Sequence, residues 1–309
     1  MINLENEIKN YLTYCSKQKG LSNLTLKAYR IDLFQFLYYK KNTKLEKSDL
    51  TNYIYYLHET FKPKTIRRKI ASLKAFTHYL YFQDIIKQNP FDKIDTNFKE
   101  PKTLPRTIPH HIISLIIKTS YLNINNAHTD YEKKNFIRNT AIIELLFATG
   151  ARISEICSLT SENIDLTEHT VKIFGKGSKE RIIQIENPDV LSILNKYKME
   201  FNEFIQPYGY FFLNNRNNRL SEQSVRIIIK NLEKQINSSL HITPHMFRHS
   251  VATMLLEEDV DIRYIQKILG HSSISTTQIY THVTSKKLKE ILQTKHPRNK
   301  IHISNYSNF

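Results

Sequence analysis

The chain has 309 residues, enough for one or two domains with a sizeable core, and its 45 lysines and arginines against 29 acidic residues give a formal net charge of +16. The expected partner is therefore a polyanion, bound in a way that weakens steeply with salt through counterion release. No apolar run approaches bilayer length and the two cysteines, Cys15 and Cys157, fall far apart, which sets aside a membrane span, a disulfide framework and a zinc spacing.

The opening Met1-Ile2-Asn3-Leu4-Glu5 lacks the basic-then-apolar order of a signal peptide, so a cytoplasmic protein with no membrane partner is expected. Leu4, Ile8, Tyr11, Leu12 and Cys15 follow a helical spacing. After Ser22, a candidate N-cap, Leu26, Tyr29, Leu33, Phe36 and Leu37 repeat it. A third helix starts near Ser48-Asp49 and carries Tyr53, Ile54 and Leu57. A fourth follows Pro63 with Ile66, Ile70, Leu73, Phe76 and Leu80. The fourth helix also bears Arg67, Arg68, Lys69 and Lys74, which read either as a solvated face or as candidate DNA contacts.

Between residues 90 and 109 the character changes: Pro90, Pro101, Pro105 and Pro109 recur among charges, and proline stiffens the chain against helix. The division predicted is a basic helical domain over 1–95, a linker over 96–107, a mixed domain over 108–295 and a polar tail over 296–309. Helix is expected around Ile112–Ile117, and then a polar insert over 121–135 that reads as a loop. Another helix runs from about Arg138 to Gly150, a residue able to take the positive φ that ends a helix. A new helix opens near Ser154-Glu155. Val171–Phe174 and Arg181–Ile185 read as two strands joined through Gly175-Lys176-Gly177-Ser178-Lys179 into a hairpin. Asn214–Asn218 is turn-like, and the chain then returns to helix as far as Leu292. The fold class expected is mainly α with a small β-hairpin or sheet in the second domain. Of only six glycines, Gly150, Gly175, Gly177 and Gly270 sit beside chemically suggestive residues, which argues that backbone geometry is being set there.

Those residues are Arg152, Lys176, His245, Arg248, His249, His271 and Tyr280. Taken singly, each has an ordinary explanation: an Arg152–Glu155 ion pair, a solvated turn lysine at Lys176, a capping or core histidine at His271, one tyrosine among eighteen. His245 and His249 lie one turn apart, as in a zinc helix, but Met246 stands where a metalloprotease needs glutamate, so no metal is expected. Taken together they suit attack on a phosphodiester by a phenolate. Arginine holds the two non-bridging oxygens, and lysine or histidine moves the protons. A protein–phosphate ester conserves the bond energy, so no cofactor is called for, and no Gly-x-x-x-x-Gly-Lys-Ser/Thr loop is present.

In this order and spacing the motifs resemble those of the tyrosine recombinases, the phage-integrase-like family, and its Xer-type members in particular. Ala148-Thr149-Gly150-Ala151-Arg152-Ile153-Ser154-Glu155 resembles the first arginine box, Gly175–Arg181 the hairpin lysine, Thr243-Pro244-His245-Met246-Phe247-Arg248-His249 the His-x-x-Arg-His box, and Leu269-Gly270-His271 through Tyr280 the nucleophile box. The resemblance implies a helical core-binding domain joined to a mixed α/β catalytic domain. It implies that Arg152 and Arg248 clamp the scissile phosphate, that His245 and His271 hydrogen-bond it and assist proton transfer, and that Lys176 protonates the leaving 5′ oxygen. Tyr280 attacks, Glu155 orients the arginine region, and His249 supports the site from behind. It further implies double-stranded DNA as partner, self-association to a tetramer on paired sites, a Holliday junction, and either a second recombinase or an accessory or translocase protein. Leu288, Ile291 and Leu292 form an apolar stripe suited either to docking on a neighbouring protomer or to packing within the chain. The 121–135 insert and the tail after Lys295 are longer than a compact Xer protein needs, leaving dimer resolution and mobile-element integration both open. The competing readings are a type IB topoisomerase, which shares the tyrosine chemistry, and a non-catalytic DNA-binding protein.

Overall fold

The computed structural model describes residues 3–40, 45–98, 106–175, 180–270 and 285–301, with the side chains at 206–208 and 285–288 outside that description. The chain divides into two compact units, residues 1–103 and 104–309.

The first unit holds α1 (Leu4–Lys17), α2 (Asn23–Tyr39), α3 (Lys47–Thr60) and α4 (Pro63–Phe82). Each begins as its sequence dictates. Asn3 and Ser22 accept the backbone N–H of Asn6 and Thr25, and Pro63 occupies the first turn of α4, where its missing N–H costs nothing. The periodic residues meet in one core: Ile8, Tyr11, Leu33, Phe36, Leu50, Tyr53, Leu57, Leu73, Phe76 and Leu80. Inside it lies a charged cluster. Asp32 of α2 is buried and accepts from Arg68, from Lys69 Nζ at 3.1 Å and from Ser72 Oγ at 2.8 Å, so that α2 is bolted to α4. Here the expectation for the basic run needs correction. Lys69 does not share an outward face with its neighbours; it is turned inward, its ammonium spent on Asp32 and Gln35 and lying 4.9 Å from the Phe61 ring centre. Arg67 and Lys74 stay exposed, with Arg67 over the Phe98 ring and Lys74 bonded to Thr96, and Arg68 is half-exposed while paired with Asp32.

The second unit is built around α6 (Asp130–Thr149), every residue of which from Thr140 to Thr149 is buried. Against it pack α5 (His110–Asn125), α8 (Pro188–Tyr208), α9 (Glu222–Gln235) and α10 (Pro244–Glu257). Between α6 and α8 come α7 (Ile153–Cys157) and a three-stranded antiparallel sheet, β1 (Ile164–Asp165), β2 (Thr170–Phe174) and β3 (Glu180–Gln184), in the order β1-β2-β3. Lys172 faces Ile182 and Phe174 faces Glu180 across the hairpin. The chain ends in α11 (Ile262–Leu269), α12 (Ser285–Lys295) and a 3-10 turn over Pro297–Lys300.

Two expectations change, and one left open is decided for Ile291 and Leu292. The 121–135 insert is not a loop: α5 continues to Asn125 and α6 starts at Asp130, leaving four residues between them. The cause is that Tyr121 and Ile124 extend the buried stripe of Ile113, Ile116 and Ile117, while the asparagines fall on the wet side. The polar tail from 296 contributes four of its first six residues to the core. His296, Pro297, Arg298 and Ile301 are buried, and the Arg298 guanidinium meets the equally buried Glu144 carboxylate through two 2.5 Å contacts. Burial works against the charge on Arg298, and Glu144 outweighs it, holding the guanidinium protonated. In the apolar stripe, Ile291 and Leu292 join this same core, with α12 against β3; Leu288 lies outside the described side chains.

Candidate active site

Two helix ends create the site. The chain leaves α6 through Gly150 at φ +57° and leaves α11 through Gly270 at φ +67°, the left-handed region that glycine alone enters without strain. Both positions are also crowded. A Cβ on Gly150 would lie 2.6 Å from Leu269 Cδ2, and one on Gly270 would lie 3.0 Å from Arg181 Nη1.

The last carbonyls of a helix have no intrahelical donor and carry the negative end of its dipole. In α11 two of them are taken by arginines from elsewhere. Arg248, in the second turn of α10, donates Nη2 to Leu269 O at 2.6 Å and Nη1 to Gly150 O at 2.9 Å, so its guanidinium bridges the exits of α6 and α11. Arg181, on β3, donates Nε to Ile268 O at 2.8 Å. Arg248 is 4% exposed. Burial, and after it the nearby positive charge of Arg152, pulls its pKa down to about 10, so it remains charged at neutral pH.

Glu155 joins the arginines. Its carboxylate closes the first turn of α7 by accepting Arg152 N at 2.8 Å, and it accepts Arg152 Nη1 at 2.7 Å. From the opposite side Arg181 grips both oxygens, Nη2 at 2.7 Å and Nη1 at 3.2 Å. Burial would raise the Glu155 carboxyl; the Arg181 side chain, then the Arg152 amide and guanidinium, outweigh it and hold it below the usual carboxylate range. The ion pair that the sequence offered for Arg152 is formed, while a third of the Arg152 side chain stays open to solvent. Three guanidinium groups and one carboxylate leave a net charge of +2, a natural seat for a phosphate.

His245 stands exposed in the first turn of α10, and His249, one turn on, is half-buried. Burial, then the neighbouring His245 and Arg248, lowers the His249 pKa and favours the neutral imidazole. Lys176, His271 and Tyr280 lie outside the described residues, so the structure speaks to Arg152, Glu155, His245, Arg248 and His249 among the sequence candidates. Arg248 sits at the glycine-capped ends of α6 and α11, Arg152 and Glu155 join it from the start of α7, and His249 lies beside Arg248 and His245 on α10.

Sequence reasoning passed over Arg181, naming it only as the end of a motif. A signal was present. In β3, Ile183 and, just beyond it, Ile185 are buried while Ile182 is 59% exposed, so strict alternation puts Arg181 on the inward face. An arginine on the buried side of a strand needs a carboxylate, and Glu155 is that group.

The chain matches the models of two known domains: the phage integrase family over residues 118–287, and the phage integrase N-terminal SAM-like domain over residues 8–84. It is 51% identical over 305 residues to a protein of Agathobacter rectalis named tyrosine recombinase, covering 98% of this chain and 100% of that relative. It is 35% identical over 303 residues to tyrosine recombinase XerD of Listeria monocytogenes, covering 94% and 98%. Among solved structures, its fold is similar to the XerH site-specific recombinase bound to difH substrate (TM-score 0.67, 21% identity, 91% of this chain and 82% of that one). It is similar also to the lambda integrase tetramer bound to a Holliday junction (TM-score 0.67, 15% identity, 92% and 81%).

Proposed function

The chain belongs to the phage integrase family and is a site-specific tyrosine recombinase; on that premise we propose that Tyr280 cleaves DNA with Arg152 and Arg248 holding the scissile phosphate. The phenolic oxygen bonds to phosphorus, the bond from phosphorus to the 5′ oxygen breaks, and the products are a 3′-phosphotyrosyl ester and a 5′-hydroxyl. His245 and His271 hydrogen-bond the phosphate and assist proton removal from Tyr280, and Lys176 delivers a proton to the departing oxygen. A 5′-hydroxyl from the second duplex then attacks the ester, restoring the backbone and freeing the phenol, with no external energy source. Strand exchange in two rounds passes through a Holliday junction and takes four protomers on two sites. The relatives named above are recombinases, and the topoisomerase and passive-binder readings find no support among them.

The observation that carries this reading is the convergence of Arg152 and Arg248 on one cationic pocket of net charge +2, at the helix end from which the chain proceeds toward Tyr280. Charge develops on the non-bridging oxygens in the pentavalent transition state, and preorganised donors are the means of stabilising it. Double-stranded DNA is the substrate and the cytoplasm the site of action; a second recombinase or an accessory protein setting direction belongs to the same proposal. Among the described residues no helix is long and apolar enough to cross a membrane.

A nicked duplex that traps the cleaved strand tests it. The protein should become covalently attached to labelled DNA, and Tyr280→Phe should bind the same duplex with unchanged affinity and form no adduct. An adduct retained by Tyr280→Phe refutes the nucleophile assignment.

A further inference from the structure

Glu155 poses an electrostatic problem. It is 5% exposed and sits beside Arg152, a guanidinium needed at full charge for the phosphate. A buried carboxylate next to a single arginine draws it into a two-pronged pair and cancels its charge. Arg181 prevents this. Both of its Nη atoms are on the Glu155 oxygens and its Nε is on Ile268 O, so every nitrogen of the group is committed within the protein. Its side chain is 9% exposed against 32% for Arg152. One arginine is thus spent on the acid and the other is left facing solvent.

We propose that Arg181 is a positioning residue for strand cleavage: by neutralising Glu155 it keeps the charge of Arg152 available to the scissile phosphate, and by gripping Ile268 O it ties β3 to the exit of α11. With Arg181 the cluster of Arg152, Arg181, Arg248 and Glu155 carries +2, matching the two negative charges of a pentavalent phosphorane; without it the cluster carries +1. The placement is deliberate in the backbone as well. Gly270 leaves open the space its own Cβ would fill, and Arg181 Nη1 and Cδ lie 3.0 and 3.1 Å from that point. The proposal rests on the reading of Arg152 and Tyr280 given above.

The test uses the full-length protein on nicked duplexes of two kinds, one with an ordinary scissile phosphodiester and one with a non-bridging oxygen of that phosphate replaced by methyl, which removes its charge. On the phosphodiester, Arg181→Gln should bind DNA within about threefold of wild type but cleave about 10–100-fold more slowly at saturating DNA, the penalty typical of losing a group that orients a primary contact. On the uncharged methylphosphonate the gap between variant and wild type should close by about tenfold or more, because the missing charge is no longer called on. An unchanged gap on the two substrates would mean a merely structural role and overturns the proposal. Arg181→Lys, which keeps the charge, should cleave the phosphodiester within about tenfold of wild type. It carries the test if the glutamine variant does not fold, and a larger loss in a normally folded lysine variant is equally fatal. Tyr280→Phe runs alongside: loss of the adduct there upholds the underlying reading whatever Arg181 does, and its retention marks that reading as the one that failed.

Discussion

Arg298→Met should unfold the second unit more readily than almost any other substitution in the C-terminal segment. Both partners of the Arg298–Glu144 pair are fully buried. Arg298 donates Nε and Nη2 to the two carboxylate oxygens, Nη1 to Ile301 O at 2.8 Å and Nη2 to Asp189 Oδ2 at 3.3 Å. Methionine fills much of the volume but leaves the Glu144 carboxylate with no cation beside it among the described residues, and Tyr121 Oη at 3.0 Å supplies a neutral hydrogen bond in exchange for a charged one. Removing one member of a buried pair costs about 3–5 kcal/mol. That is a large share of the roughly 5–15 kcal/mol that holds a typical domain together, and near 200 residues it lowers Tm by about 10 °C. Glu144→Leu combined with Arg298→Met removes both charges and the desolvation they demand, and should recover most of the loss. Urea unfolding of the full chain, followed by far-UV circular dichroism, measures all three proteins. A single variant within about 1 kcal/mol of wild type, or a double variant no better than the single, refutes the reasoning that the pair is a compensated buried charge rather than a packing contact.

Two further outcomes follow from neighbouring features. Gly150→Ala should cost about 2–5 kcal/mol, from a left-handed backbone (about 1–2) and an overpacked contact with Leu269 (about 1–3), whereas Gly20→Ala, at φ +60° with nothing within 4 Å of its Cβ, should cost the backbone share alone; equal losses by urea unfolding would exclude the packing contribution. His296 is fully buried, and burial, then the charge of Arg298, lowers its pKa to about 4. The folded state therefore holds it neutral. The stability this provides is complete above the unfolded value near 6.5 and drains as pH falls to about 4, for a total of about 3 kcal/mol. His296→Asn, which can still accept the Arg298 N–H, should flatten that acid limb; parallel limbs for the two proteins would show that His296 does not titrate there.

Much of the architecture could be read from the chain because the signals were local. Apolar residues three and four apart located α1 to α4, and Ser22 and Pro63 located the starts of two of them. Gly150 announced a helix end at the predicted residue, and Gly270, singled out as a place where backbone geometry is set, caps another. The insert failed because Asn123, Asn125 and Asn126 outweighed the buried stripe in a local reading, although burial, not propensity, holds the end of α5 together. The inward turn of Lys69 depends on Asp32, 37 positions away, and the docking of Arg298 depends on Glu144, 154 positions away. Neither pairing leaves a mark at short range. A charged residue in a polar stretch looks the same whether it meets water or a buried acid.

The same distinction explains why the motifs revealed the chemistry and hid its wiring. Several of the groups expected to touch DNA are marked by their neighbours: Lys176 and His271 each follow a glycine in the sequence, Arg152 caps the start of α7 and His245 lies in the first turn of α10. Arg181 and Glu155 act on those groups at one remove, from within ordinary elements; the motif named Glu155, whereas Arg181 looks like any strand arginine. Their importance lies in number and sign. One acid shared between two arginines splits them into a spent charge and an available one, and Arg248, pinned to the carbonyls of Gly150 and Leu269, adds the second available charge. A pocket built this way has its cations held in place before substrate arrives, so little reorganisation is required when charge develops on the phosphate.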